Sequence, residues 1–548
     1  VPDVKLVAAD AVATSTGDGQ FDLGVVAPGT AVEATAPGYA PVTADSGSGA
    51  TMVITLRPTS VHGRVTDAKT GKPLYGVIVR IDLPAGSAAP AATGTAAPAV
   101  TATLTVTPGA QLPVLYGSFT ALRAAQVLTD TTPAPAVPTA TEPPPPSPTP
   151  TPPPPMPTPF VNDKMILAVT DADGRYTLDN VPLSPTLTLK MPGYKLTKVP
   201  LTHATSQDVA LEPFVVKALY MTAFGVSAPV LYDPIMDLAD NTEINAVVLN
   251  IQDDSARVVY DTKVQMAIDS GAVDKSILPN IKDLIADFHK RDLYVIARMV
   301  TFMQPAVADA NPALAVRSKA TGKPWIGGEL SQQRWLDPTN PRAREYPLAL
   351  AYEATTLGFD EIQFDYIRFP SDPAEGEKFE NLSYSQPADN KTKPQYIAQF
   401  MTEAHNMLNT TDAFMSVDVF GYTVWPDQNG QPLNAVIGQV FEPIIGHTDY
   451  ICPMIYPSHF SAGELGFSDP NAHPYEIIKR AGEYTQERIA GQRAKYRPWL
   501  QGFDWTHLAY DGRLYRLQIQ AAAETGAAGW MFWDPSNVYS GDGFNPEH

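Results

Sequence analysis

The chain has 548 residues, too many for a single hydrophobic core, so several domains are expected. Its 38 basic and 58 acidic residues give a net charge of −20, which argues against nucleic acid and anionic membrane surfaces as partners and leaves neutral or cationic glycans open. No uninterrupted apolar run reaches the ~18 residues of a membrane-spanning helix, so no membrane span is predicted.

The first 213 residues hold an internal repeat. TGDGQFDLGVVAPGT, ATAPGYAPV and MVITLRP, within 16–58, return as DADGRYTLDNVPLSP, LKMPGYKLT and DVALEP within 171–213. Gly19 and Gly38 are 19 residues apart, as are Gly174 and Gly193; Gly38 and Pro58 are 20 apart, as are Gly193 and Pro213. Equal spacings between two turns and a terminal proline mark a repeated structural unit. Alternating stretches such as Thr186-Leu187-Thr188-Leu189 flank the glycine turns, so each unit reads as a small β-sandwich. The motifs GRVTD (63–67), GKPLYGV (71–77), TDADGRY (170–176) and PGY (192–194) resemble the carboxypeptidase regulatory-like, or transthyretin-like, domain. That resemblance implies a spacer or adhesion module. Asp171-x-Asp173-Gly174 reads as a β-turn rather than a calcium loop, because the first unit has Thr16 where the second has Asp171.

The expected boundaries are a partial sandwich over 1–58 and a second over 59–213, split by an Ala/Thr/Pro-rich insertion over 83–163. Val1 to Leu6 aligns with Leu74 to Val79, so the first unit lacks its opening strand. An unpaired sheet edge is therefore expected beside Val4 and Leu6, open to a strand-addition partner or to the insertion; a truncated chain accounts for the same gap. The tract TEPPPPSPTPTPPPPMPTP (141–159) has the composition of an extracellular stalk in polyproline II conformation. The chain begins at Val1 with neither Met nor a signal peptide, which suggests a processed or truncated product. An extracellular or cell-surface location rests on the stalk.

From Phe214 onward, apolar strands alternate with amphipathic segments. The strands are VVKALYMTAF (215–224), NAVVLNIQDDS (245–255), LYVIARMVTF (293–302), EIQFDYIRFP (361–370), FMSVDVFGY (414–422), DYICPMIYPS (449–458), RPWLQGFDW (497–505) and GWMFWDPS (529–536). ILPNIKDLIADFHKRD (277–292) and RAREYPLALAYEATTLG (342–358) are examples of the helices between them. Eight strands with crossover helices predict a (β/α)8 TIM barrel over 214–548, giving a multidomain protein with two all-β units before it. A doubly wound open sheet is the alternative, but no Gly-x-Gly-x-x-Gly follows the first strand, so no dinucleotide cofactor is expected. The single cysteine, Cys452, lies in an apolar strand and reads as a small buried residue.

An aspartate inside an apolar strand needs a reason, because burying a charge is costly unless it is paired or used. Parity along the strands puts Asp254, Asp365 and Asp418 on inward faces near the C-terminal mouth, and one shared pocket is expected for them. Two carboxylates across a cleft are the minimum equipment for glycoside hydrolysis: one protonated to donate to the leaving oxygen, one ionised as nucleophile or base. Asp365 and Asp418 are the expected catalytic pair; their separation, and so retaining or inverting stereochemistry, stays open. Arg368 is expected to orient Asp365. Tyr366, Tyr422, Trp425, Tyr456, Trp505, Trp530 and Trp533 lie at or near strand ends, where rings can pack on sugar C–H faces. Of these, Tyr456, Trp505 and Trp533 are expected at the substrate, with Asp254, Arg368, His459 and Gln501. No His/Cys/Asp cluster has metal-ligand spacing, and no Gly-x-Ser-x-Gly elbow occurs.

NAVVLNIQDDSARVVY, EIQFDYIRFPSD, YICPMIYPSHF and the WLQ-F and GW-FW pairs, over 215–536, resemble a glycoside hydrolase-like family with a TIM-barrel fold. The resemblance implies a glycosidase acting on a polysaccharide or oligosaccharide, with Asp365 the first residue carried over. Related groups commonly have Glu on strand 5, where this chain has Asp418, so Asp254 is an alternative acid/base. A competing reading is a non-catalytic glycan-binding or structural module. An open groove with two reachable carboxylates would favour the enzyme, a blocked one the module.

Overall fold

Period-2 alternation in the first 213 residues and strand–helix alternation afterwards produce two compact units in the computed structural model. It describes residues 1–49, 51–83, 165–182, 185–201, 205–253, 255–327, 333–371, 381–425, 434–506 and 508–546. Beyond Leu83, the expected insertion over 83–163 lies outside the described residues, as does Asp254. Among the described residues, 1–83 with 165–214 form one unit and 215–546 the other. No helix among them is long and apolar enough to cross a membrane.

In the first unit the repeat is visible strand by strand. An antiparallel sheet in the order Ala11–Thr14, Lys5–Ala8, Ala31–Thr35, Val42–Asp45 is matched by one in the order Met165–Val169, Ile78–Asp82, Thr186–Lys190, Thr197–Pro200. The hydrogen bond from Val4 N to Ser15 Oγ at 2.9 Å recurs from Val77 N to Thr170 Oγ1 at 2.9 Å. Asp171 is used in its turn: its Oδ1 accepts from the amides of Asp173 and Arg175 at 2.9 and 2.8 Å. The second repeat adds a facing layer, Arg175–Asp179, Ser60–Asp67 and Val209–Leu211, which closes a core of Val61, Val65, Val79, Leu187, Leu189 and Leu211. The edge expected beside Val4 and Leu6 is not there. Lys5–Ala8 lies between two antiparallel neighbours, so both its sides are hydrogen-bonded.

The second unit is a closed barrel of eight parallel strands: β1 Val216–Met221, β2 Ala246–Asn250, β3 Tyr294–Val300, β4 Glu361–Asp365, β5 Phe414–Phe420, β6 Tyr450–Met454, β7 Trp499–Gln501 and β8 Gly529–Trp533. Pairing runs from β1 in order to β8 and back to β1. The crossover helices are amphipathic: Ile281, Ile285 and Phe288 form the buried stripe of the helix Ile281–Lys290. The helix Pro341–Leu357 starts at an Asn340 cap, whose Oδ1 accepts from Arg342 N at 3.0 Å, and ends at Gly358 with φ 109.

Strand β4 sorts its side chains by parity. Phe364 points outward and meets Phe400 of the helix Lys393–Leu408 edge-on at 5.5 Å. Glu361, Gln363 and Asp365 therefore line the interior from bottom to top. At the bottom, Glu361 and Arg497 form an ion pair with both side chains fully buried. The Tyr294 hydroxyl also donates to Glu361 at 3.1 Å, and the Arg497 guanidinium lies 4.0 Å from the Tyr450 ring centre. The ring face and the Tyr294 hydroxyl offset part of the cost of burying the pair, while Arg497 Nε and Nη1 make no hydrogen bond among the described residues.

Candidate active site at the C-terminal mouth of the barrel

Strand β4 ends at Asp365, and the next residue, Tyr366, turns into the left-handed region with φ 52. For a bulky residue this costs on the order of 1–3 kcal/mol. It turns the Tyr366 amide onto its neighbour: Tyr366 N donates to Asp365 Oδ1 at 2.6 Å. The other carboxylate oxygen, Oδ2, forms an ion pair with Arg298 Nη2 from β3. Arg298 holds several strands together. Its Nη1 donates to Asn250 Oδ1 at 2.8 Å, and Asn250 Nδ2 donates to the Tyr220 hydroxyl at 2.7 Å. Its Nε lies 3.8 Å from Asp418 Oδ2 on β5. The Trp533 ring lies 4.8 Å from the guanidinium and stacks on Tyr220 at 3.9 Å.

The two aspartates on β4 and β5 thus share one guanidinium, in unequal surroundings. Asp418 is wholly buried, while Asp365 keeps 6% exposure. Burial first, and then the nearby charge of Asp365, push the Asp418 carboxyl well above the usual range; Arg298 opposes this without reversing it. Trp499 Nε1 donates to Asp418 Oδ1 at 2.7 Å, and Oδ2 has no hydrogen-bond partner among the described residues. Asp418 therefore has the environment of a protonated acid, and Asp365 that of an ion-paired carboxylate.

Beside this cluster opens a cavity of about 480 Å³ whose walls include Phe420, Tyr422, Tyr456, His459, Phe460 and Trp505. Neither aspartate lines it. Tyr456 belongs to both places: it forms part of the cavity wall, and burial above all, with the two aspartates close by, raises its phenol well above the ordinary value. His459 packs against Tyr456 at 5.3 Å, Trp505 at 5.7 Å and Phe503 at 5.9 Å. Desolvation among these rings lowers its pKa to about 4; His459 as a residue is exposed, which tempers that shift, and the imidazole is neutral at pH 7.

The structure brings Asp365, Asp418, Tyr456 and Trp533 together, and sets His459 and Trp505 across the adjoining cavity. Two expected roles need correction. Arg368 is not the ion-pair partner of Asp365; its guanidinium sits over Trp335, Tyr366 and Phe420 at 4.8–5.1 Å and donates to Ser371 Oγ at 2.6 Å. Gln501 is fully buried and does not line the cavity. Its Oε1 accepts from Ser458 N at 3.1 Å and its Nε2 donates to the Phe503 carbonyl at 3.1 Å, so it holds the loop that carries His459. Sequence reasoning missed Arg298, Asn250, Tyr220 and Trp499. Arg298 carried the same signal as Asp365, a charge inside the apolar strand LYVIARMVTF.

A closed parallel barrel with paired carboxylates at its C-terminal mouth defines a TIM-barrel protein of the glycosyl hydrolase-like class. Residues 218–539 match the family described as "Putative glycosyl hydrolase domain", and the chain belongs to that family. Among solved structures, a hypothetical protein from Ruminiclostridium thermocellum is 34% identical, over 37% of this chain and 97% of its own, with a TM-score of 0.32. The spore cortex-lytic enzyme SleL of Bacillus megaterium is 13% identical, over 67% of this chain and 77% of its own, with a TM-score of 0.37. The glycoside hydrolase domain of PelA from Pseudomonas aeruginosa is 12% identical, over 59% of this chain and 96% of its own, with a TM-score of 0.33. No curated protein matches the chain.

Proposed function

We propose that the barrel hydrolyses glycosidic bonds of an extracellular or cell-surface polysaccharide, with Asp365 and Asp418 as its carboxylate pair. The observation that carries this reading is the unequal pair around Arg298: one acid ion-paired at the mouth, the other at the matching position of the neighbouring strand, wholly buried and with its pKa raised. Opposite protonation of two neighbouring carboxyls is the requirement of acid/base glycoside cleavage. Asp365 is the group that meets the sugar, as nucleophile or base, and Asp418 is the proton donor. The aromatic cavity supports a carbohydrate partner: Trp505 is 39% exposed, and Tyr456 and Tyr422 add faces and hydroxyls suited to a sugar. The polyproline tract supports the location.

A second reading keeps the glycan and drops the chemistry. Its support is the burial of the pair: Asp365 is only 6% exposed and engaged by Arg298, and Asp418 is not exposed at all. The barrel would then bind glycan along the cavity while the aspartates serve as an internal polar layer. Incubating the full chain with a panel of soluble polysaccharides separates the two. New reducing ends support hydrolysis; retention on a polysaccharide with no new reducing ends supports the binding module. Loss of retention in Trp505→Ala would place the glycan in the cavity in either case.

A further inference from the structure

The cavity beside the carboxylate pair is walled by the ends of β5, β6 and β7 and the loops that follow them, and this part of the chain is short of positive charge. From Pro394 to Ile478 the sequence has nine acidic residues and no lysine or arginine. After β7, the described residues 502–506 and 508–511 hold two aspartates and again no lysine or arginine. The arginines that approach from elsewhere are engaged and do not line the cavity. Arg298 is held by Asp365 and Asn250, and Arg368, 4.9 Å from the Phe420 ring, by Ser371. Arg480 and Arg488, on the helix Pro474–Arg488, turn to the Leu465 carbonyl and the Glu442 carboxylate.

A carboxylate is bonded to the wall itself. Glu464 Oε2 accepts from the Tyr422 hydroxyl at 2.5 Å and from Ser461 N at 2.6 Å, and both of those residues line the cavity. Acidic surroundings alone define no site; Tyr456 supplies the second observation. It is 7% exposed and lines the cavity, and its hydroxyl makes no hydrogen bond among the described residues. So enclosed a phenol oxygen is costly to leave unmatched, and a donor held in the cavity would satisfy it. Trp505, 39% exposed, brings an indole ring to the same space. His459, neutral at pH 7, puts no opposing charge there.

We propose that this cavity binds an amino sugar bearing a free amine, so that the glycan taken by the barrel is a cationic, unacetylated amino-sugar polymer. The inference rests on the reading that a glycan occupies the cavity, and adds its chemical class. An ammonium group is a donor only. The Tyr456 oxygen accepts one of its N–H bonds. The rings of Trp505, Tyr456 and Tyr422 attract its charge through their faces, an interaction that strengthens away from water. Glu464 adds a full negative charge behind the Tyr422 hydroxyl, and the acidic loops draw a polycation toward the mouth. A uronate sugar would meet a wall without a cation and with Glu464 bonded to it. An N-acetylated sugar carries no charge and gains nothing from this field.

The probes are the glucosamine hexamer, the N-acetylglucosamine hexamer and hexagalacturonate, each titrated into the full chain by calorimetry. The expected result is saturable binding of the glucosamine hexamer, about tenfold or more tighter than the acetylated one, and none of hexagalacturonate. Trp505→Ala should weaken the glucosamine hexamer about tenfold. Glu464→Gln, whose amide oxygen still accepts from Tyr422 and Ser461, should weaken the glucosamine hexamer and leave the acetylated one unchanged. Cooperative urea unfolding checks that both variants fold. Four results would overturn the proposal: no binding of the glucosamine hexamer, equal or tighter binding of the acetylated one, binding of hexagalacturonate, or glucosamine binding indifferent to Trp505→Ala. The last would mark a diffuse attraction to a chain of net charge −20. The outcomes stand apart from hydrolysis. New reducing ends from an uncharged polysaccharide, with no preference for the amine, would keep the glycosidase reading and refute this one. Amine-selective binding without cleavage would do the reverse.

Discussion

Arg298→Met is the perturbation that tests the carboxylate cluster most sharply. Arg298 is 8% exposed, forms an ion pair with Asp365, donates to Asn250 at 2.8 Å and approaches Asp418 to 3.8 Å. Removing one partner of a buried ion pair costs about 3–5 kcal/mol, because the remaining charge is left uncompensated. The Asn250 amide loses a charged donor, worth about 1.5–3 kcal/mol, part of which water can restore at the mouth. A loss of about 3–5 kcal/mol at neutral pH is therefore expected. All seven tryptophans, from Trp325 to Trp533, lie in the barrel unit, so tryptophan fluorescence during urea unfolding reports on the barrel alone. With a slope of about 3 kcal/mol/M, the urea midpoint should fall by about 1 M or more. Acidification protonates the stranded carboxyl and should shrink the loss. Arg298→Lys, which keeps the charge without the planar fork, should fall between the two. A loss under about 1 kcal/mol, or one equal at pH 7 and at about pH 4, would refute the reading of Arg298 as the cluster's counter-charge.

Asp418→Asn should remove a pH dependence. The folded state raises the Asp418 pKa above its ordinary 3.8, so it holds that proton more tightly than the unfolded chain does. Stability from this group is therefore full below the ordinary value and is lost as pH rises above it. The asparagine cannot ionise and still accepts from Trp499, so its advantage over aspartate should grow between about pH 4 and pH 8 in urea titrations; an unchanged slope would contradict a protonated Asp418. Cys452 is fully buried and its thiol is pushed up, chiefly by desolvation, so an aromatic disulfide reagent should label it only after unfolding; fast labelling of the native protein would contradict the closed barrel interior.

The order of the barrel strands was legible because each is a short apolar run with charged helices between, and because parallel crossovers leave few topologies. Asp365 and Asp418 were legible for the same reason, as acids at inward positions of apolar strands. The partner of Asp365 was not. Arg368 is close in sequence, but the left-handed turn at Tyr366 intervenes and Arg368 packs among Trp335, Tyr366 and Phe420, while the guanidinium that reaches Asp365 comes from a strand 67 residues earlier. Gln501 shows a similar limit: its position at the end of β7 was clear, yet its amide is consumed by the backbone of Ser458 and Phe503. In the first repeat the alignment placed an open edge beside Val4 and Leu6, but assigning strands to neighbours takes coordinates, and Lys5–Ala8 is paired on both sides.

The most direct test of the glycosidase reading compares wild type with Asp365→Asn on whichever soluble polysaccharide yields new reducing ends fastest. The amide keeps the volume of the acid and removes the charge that the chemistry needs. The account predicts an initial rate lower by about 10²–10⁴-fold or more, with the tryptophan-monitored urea transition of the variant still cooperative. Hydrolysis at the wild-type rate by a folded Asp365→Asn protein would contradict it, and so would the absence of new reducing ends from every polysaccharide offered to the wild type.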